Sequence, residues 1–120
     1  MDQKQAKEWL LSDGFQISPG QGDCAFFGYR RSRHPSMPCE TNGKKSQIEV
    51  RIHSRGYMGD PQAWASVTLT RECVDWFNLQ AYGFPASSLP TSLPRIERAL
   101  ADAWNAVVAV MRPKEAQSND

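Results

Sequence analysis

The sequence predicts an α+β domain: an antiparallel meander of four to five strands, with a short N-terminal helix and a long C-terminal helix packed on one face. Two observations carry this prediction. A segment near each end has apolar residues at helical spacing, and several segments between them alternate apolar and polar residues as strands do. Turn signals separate consecutive strand segments, which favours a meander. One face of the sheet is then left for solvent or a partner.

Both helices have recognisable ends. Asp2 followed by Gln5 is a capping-box pattern that starts a short helix, and Asp13-Gly14 ends it. Near the other end, Ser92 is the expected cap of a helix over Pro94–Met111, with the proline in its first turn. Its apolar stripe consists of Ile96, Leu100, Ala103, Trp104, Val107, Val108 and Met111.

The predicted strands cover 15–17, 24–31, 47–53 and 64–70. The clearest is 47–53, because strict alternation places Ile48, Val50 and Ile52 towards the core. Glu49, Arg51 and His53 then lie on the other face. A fifth segment, 74–82, fits both a strand and a helical turn, and a strand paired with the preceding one is favoured.

Five aromatic residues fit hydrophobic packing better than a ligand pocket. Residues of this type at strand and helix spacing are usually part of the core. The five are Trp9, Phe26, Phe27, Phe77 and Trp104.

Length and composition predict one domain over residues 1–113 and a polar tail over 114–120. The chain has 120 residues, of which 40% are hydrophobic and 22% charged, as in ordinary globular proteins. We expect a cytoplasmic protein without a membrane partner, since there is no long apolar run and the N-terminus is polar. Its three cysteines, an odd and sparse set, fit a reducing compartment.

The sequence contains no pattern typical of a catalytic or metal site, so we expect neither an enzyme nor a cofactor. Its cysteines and histidines lack the close pairs of structural zinc sites, and no nucleotide-binding or hydrolase motif is present. A catalytic pair of Cys39 with His34 or His53 stays open as an alternative, because such a pair requires only spatial contact.

Positive charge is concentrated in one region. The whole chain carries a formal charge of +1, whereas residues 30–55 hold seven basic and two acidic side chains. This distribution predicts one local basic surface. The basic residues are Arg30, Arg31, Arg33, Lys44, Lys45, Arg51 and Arg55.

Two connections border this basic region. Residues 33–46 form a long predicted loop, inside which Asn42-Gly43 favours a tight hairpin. Residues 55–61 form a second one, which presents Tyr57 and Met58 between turn residues. Tyr, Met and Arg are enriched at protein interfaces, but an ordinary mobile loop explains such a segment equally well.

The last third of the chain resembles the end of short uncharacterised proteins of proteobacteria and their phages. The residues that carry the resemblance are 76–83, Leu93-Pro94-Arg95-Ile96-Glu97 and Leu100 to Ala106. The chain is also similar in kind to phage inhibitors of host defence, including anti-CRISPR proteins. This resemblance implies binding to a larger complex, and it implies no catalytic residue.

These observations predict a small non-enzymatic binding protein, encoded by a phage or mobile element, that inhibits a host defence complex such as CRISPR-Cas by occupying a protein surface. We expect a monomer or homodimer. The alternative is a nucleic-acid-binding module that uses the basic sheet face, with Tyr29, Tyr57 and Trp64 stacking on bases. The predicted partner-binding residues are Arg30, Arg31, Arg33, Lys44, Lys45, Arg51, His53, Arg55, Tyr57 and Met58.

Overall fold

A computed structural model describes residues 1–40, 42–57, 59–71, 75–80 and 83–111 of the protein. The helices are α1 (Gln3–Ser12) and α2 (Leu89–Met111), and a short 3-10 helix at Ala86–Ser88 precedes α2. The strands are β1 (Gln16–Pro19), β2 (Cys24–Arg31), β3 (Gln47–Tyr57), β4 (Asp60–Arg71), β5 (Asp75–Gln80) and β6 (Phe84–Pro85).

The sheet is an antiparallel meander, which confirms the predicted fold class. Its first five strands lie in the order β1-β2-β3-β4-β5, and the two-residue β6 pairs with β4 beside β5. The segment that fits both strand and helix is a strand over 75–80. The parts of that prediction at residues 74, 81 and 82 lie outside the described residues, as does the predicted tail at 114–120.

The core lies between the sheet and the two helices. Ile48, Val50 and Ile52 of β3 are fully buried, as their alternation predicts. Leu10 of α1 and Trp104 of α2 belong to the same buried cluster, and the Trp104 Nε1–H donates to the Val67 carbonyl at 3.2 Å. Both helices therefore cover one face of the sheet, and no helix of the described chain covers the other.

Local contacts explain where α1 begins. The Asp2 carboxylate accepts a hydrogen bond from the Gln5 N–H, and the Gln5 side chain accepts one from the Asp2 N–H, each at 2.8 Å. This pair confirms the predicted capping box. The chain leaves the helix through Gly14, whose φ of 89° suits glycine.

Helix α2 begins at Leu89, five residues earlier than predicted. Leu89 and Leu93 lie one turn apart and are both buried, so extending the helix adds two large side chains to the core. Pro94 consequently lies inside the helix, where it cannot donate a backbone hydrogen bond. The helix is described as far as Met111, and the residues that follow lie outside the described part of the chain.

The predicted loop over 55–61 is instead the end of a β-hairpin. Gly56 pairs with Pro61 and Tyr57 pairs with Asp60, so both strands continue past the residues that alternate most clearly. Gly56 permits this because a Cβ there would lie 1.7 Å from the Asp60 carbonyl oxygen. Gly59, with a φ of 77°, supplies the turn.

Candidate docking surface

Arg30, predicted to bind a partner, is part of the protein interior. It stands opposite Ile48 in the β2–β3 register, on the core side of the sheet, and its side chain is only 9% exposed. The guanidinium lies 4.7 Å from the centre of the Phe15 ring. It forms ion pairs with Glu97 at 3.1 Å and Asp13 at 3.2 Å. The prediction that Arg30 lies on the exposed basic surface is therefore wrong.

Glu97 is the centre of this buried polar cluster. In addition to Arg30, the Ser32 hydroxyl donates to its carboxylate at 2.6 Å, and the Arg33 N–H donates at 2.9 Å. Burial alone would raise the pKa of Glu97, but the Ser32 and Arg30 hydrogen bonds and the Arg30 charge outweigh it and lower that pKa. The cluster joins α1, the end of β2 and α2.

The neighbouring arginines also have partners within the chain. Arg31 pairs with Glu40 at 3.1 Å and donates to the Lys45 carbonyl at 2.9 Å. Arg33, although more than half exposed, pairs with Asp13 at 3.1 Å and also donates to its backbone carbonyl. These contacts neutralise much of the charge that the sequence assigns to this end of the sheet.

The predicted long loop is folded against the rest of the chain. Met37 is buried, and the Lys45 ammonium donates to the Pro35 and Met37 carbonyls, each at 2.8 Å. Gly43 donates to the Glu40 carbonyl at 2.9 Å, so a hairpin turn forms at Asn42-Gly43 as predicted.

Of the other residues predicted to bind a partner, two are exposed cations and one lies outside the described part of the chain. Lys44 and Arg55 are exposed, and neither has a salt-bridge partner among the described residues. Tyr57 is the last residue of β3. Met58 lies outside the described residues.

A cluster of aromatic and charged side chains lies on the face that the helices leave uncovered. Register places Arg51 between Phe27 and Trp64, and Glu49 between Tyr29 and Ser66. Because residues in register share a face, these side chains form two adjacent rows across the strands. We call this surface the helix-free face and define it by Phe27, Tyr29, Glu49, Arg51, His53 and Trp64.

The aromatic rings of the helix-free face are partly exposed and lie close together. The Phe27 and Tyr29 ring centres are 6.3 Å apart, and those of His53 and Trp64 are 5.9 Å apart. Phe27 was expected in the core, but only its neighbour Phe26 is there. Alternation along β2 places Phe26 and Phe27 on opposite faces of the sheet, and this is the sequence signal that could have distinguished them.

An ion pair occupies the centre of the helix-free face. Arg51 Nε lies 2.6 Å from the Glu49 carboxylate, and this hydrogen bond raises the pKa of Arg51. Arg51 and His53 lie on the solvent side of the sheet, as their alternation predicts. The central charges are thus already paired before any partner binds.

Cys24 stands opposite His53 in the β2–β3 register. Burial raises the pKa of Cys24, although the nearby Arg51 acts in the opposite direction. A raised pKa disfavours the thiolate that a nucleophilic cysteine requires.

The described ranges of the chain contain no group of three His, Cys, Asp or Glu side chains placed to hold a metal ion. They also contain no helix that is long and apolar enough to cross a membrane.

Comparison of the chain with protein-family models, with curated proteins and with solved structures found no match. The resemblance of the C-terminal third to phage proteins therefore stays a prediction.

Proposed function

We propose that the protein is a small non-enzymatic binding protein that inhibits a host defence complex by occupying a protein surface, and that it docks through the helix-free face. The observation that carries this proposal is the grouping of Tyr29, Arg51 and Trp64 on a sheet face that no helix of the described chain covers. Trp, Tyr and Arg are the residue types that dominate binding energy at protein interfaces. A host defence complex is proposed as the target because of the resemblance to phage inhibitors.

The charges of the helix-free face favour a protein partner over nucleic acid. Glu49 lies near its centre, where a carboxylate repels phosphate, and it already pairs with Arg51. Arg31, at one end of the face, pairs with Glu40. A nucleic acid would have to displace these carboxylates, whereas a protein surface can pack over paired charges.

Nucleic-acid binding remains the second candidate because of one specific observation. Phe27, Tyr29 and Trp64 offer partly exposed rings to stacking bases, and the cations of Lys44 and Arg55 have no carboxylate partner in the described chain. Phosphate binding would weaken steeply with added salt, which distinguishes it from an interface anchored by aromatic residues.

The test is a tagged pull-down from bacterial lysate with and without nuclease. The proposal predicts a stoichiometric protein that survives nuclease and is lost when Tyr29→Ala and Trp64→Ala are combined. Leu11→Ala, which changes an exposed apolar residue of α1, is the matched control and should retain the protein. Circular dichroism checks that the double variant is folded. The proposal would be contradicted if the recovered protein were lost on nuclease treatment. It would also be contradicted if the Tyr29→Ala/Trp64→Ala variant recovered the protein as well as the native chain does.

A further inference from the structure

The helix-free face carries its side chains in two rows that cross the central strands, and each of β2, β3 and β4 contributes one residue to each row. One row contains Tyr29, Glu49 and Ser66, and the other contains Phe27, Arg51 and Trp64. Because the rows are two residues apart along each strand, they are separated by about 7 Å. The opposite charges of Glu49 and Arg51 therefore occupy equivalent places in neighbouring rows, on the middle strand.

These charges are complementary to those of a second copy of the chain. Two copies can stack face to face about a two-fold axis that lies between the sheets and crosses β3 at a right angle, midway between Glu49 and Arg51. This operation exchanges the two rows, so that Arg51 of each copy lies over Glu49 of the other. A surface that fits itself in this way is the requirement for a symmetric dimer.

The aromatic residues of the face fit the same operation. Strand β2 of one copy stacks on β2 of the other and sets the Tyr29 ring against the Phe27 ring on each side of the axis. On β4, Trp64 faces the small, buried Ser66, so the indoles of the two copies do not collide. Facing sheets lie about 10 Å apart, a gap that side chains of this size fill from both sides.

Charge selects this arrangement over the other symmetric one. With the axis parallel to β3, Arg51 would face Arg51 and Glu49 would face Glu49, and like charges repel. With the axis across β3, each guanidinium lies between two carboxylates. Its Nε contacts Glu49 of its own chain at 2.6 Å, and its terminal amino groups can donate to Glu49 of the second copy.

Charges at the ends of the sheet do not oppose this stacking, which brings opposite ends together. The end beside the 39–45 hairpin has three cations and one carboxylate, an excess of two positive charges, whereas the other end has one cation and two carboxylates, an excess of one negative charge. The first set is Arg31, Glu40, Lys44 and Lys45, and the second is Asp23, Arg55 and Asp60. Asp2 and Lys4, which line a cavity beside the second set, cancel each other.

We infer that the free protein forms a two-fold symmetric dimer through the helix-free face, with Arg51 of each copy paired with Glu49 of the other. The inference goes beyond the proposed function, since it concerns the chain without a host partner, which would have to displace the second copy. The face is small, so we expect a dissociation constant on the order of 100 µM. At the lower concentrations of a lysate experiment, the face is then free for a host partner.

Sedimentation equilibrium of the full-length protein measures the dimer. Between about 10 and 300 µM, the average mass should rise from that of the monomer towards that of the dimer. Glu49→Arg and Arg51→Glu should each weaken dimerisation at least about tenfold, because either change turns both pairs between the copies into repulsive ones. Arg98→Glu, at an exposed site of α2, is the matched control and should leave the dissociation constant unchanged.

Mixing the two reversed variants tests the contact itself. An equimolar mixture of the Glu49→Arg and Arg51→Glu chains again has opposite charges at both positions and should dimerise at least as tightly as the native chain. Misfolded variants could not regain affinity in this way. The direction of the axis is tested with p-benzoylphenylalanine in place of Tyr29, which should crosslink to β2 of the second copy and not to β4.

Separate outcomes decide the inference and the proposed function. A protein that is monomeric at every concentration would overturn the inference and leave the proposed function standing. The inference would also be overturned by a dimer that persists in both single variants, or by crosslinks from position 29 that lie outside β2. Recovery of the dimer on mixing, with no host protein captured from lysate, would support the inference and contradict only the proposed function.

Discussion

The buried carboxylate of Glu97 should be one of the most sensitive positions for stability. Glu97→Gln keeps the shape of the side chain but removes its charge and replaces an acceptor oxygen with a donor. The native carboxylate accepts from Arg30, Ser32 and Arg33 at 2.6–3.1 Å. In the variant, one of these donors faces an amide N–H₂ and loses its acceptor.

The magnitude follows from what remains of the cluster. Removing one partner of a buried ion pair typically costs about 3–5 kcal/mol, because the other charge is left buried and uncompensated. Arg30 keeps its contact with Asp13, so the lower end of this range applies. We expect Glu97→Gln to lower the free energy of unfolding by about 3 kcal/mol.

Urea denaturation followed by circular dichroism measures this change, with the slope of the transition expected to stay constant. Asp102→Asn is the matched control, since Asp102 is an exposed carboxylate on the same helix. It should leave the free energy of unfolding almost unchanged. If the two variants were equally stable, the role of Glu97 in joining α1, β2 and α2 would be refuted.

Three further predictions concern the pH dependence of the Glu97 cluster, the buried Trp104 and the cap of α1. The pKa of Glu97 is lower in the folded protein than in the unfolded chain. The Glu97 carboxylate therefore stabilises the fold fully above the unfolded pKa of about 4.3, and this stabilisation is lost as pH falls through the folded pKa. The difference in urea midpoint between the native protein and Glu97→Gln should therefore be constant from about pH 5 to 7 and shrink below about pH 4. Trp104→Ala should cost about 3–5 kcal/mol in thermal or urea unfolding, whereas Val110→Ala, at a highly exposed site of the same helix, should cost little. Asp2→Ala removes the capping box of α1 and should cost about 1 kcal/mol by the same measurement; an unchanged midpoint would contradict the role of the cap.

Local patterns predicted the parts of the fold that depend on neighbouring residues. The alternation of Ile48, Val50 and Ile52 and the Asp2–Gln5 pair depend on contacts within a few residues, and both predictions are confirmed. The predicted start of α2 and the predicted extent of the β3–β4 hairpin were wrong. They depend on burial against the core and on a close backbone approach at Gly56, which no local pattern shows.

The candidate site was only partly predictable for the same reason. Alternation placed Arg51 and His53 correctly on the open side of β3. Counting charges could not show that Arg30 pairs with Glu97, which lies 67 residues away in the sequence. The grouping of Phe27 with Trp64 likewise depends on the register of three strands, which only the structure supplies.

Site-specific photo-crosslinking tests most directly whether the helix-free face is the docking surface. In one variant, p-benzoylphenylalanine replaces Tyr29 on that face, and in another it replaces Leu11, an exposed residue of α1. After irradiation in nuclease-treated bacterial lysate, we expect one dominant protein adduct from position 29 and none from position 11. The reverse pattern, or the same adduct from both positions, would contradict docking through the helix-free face.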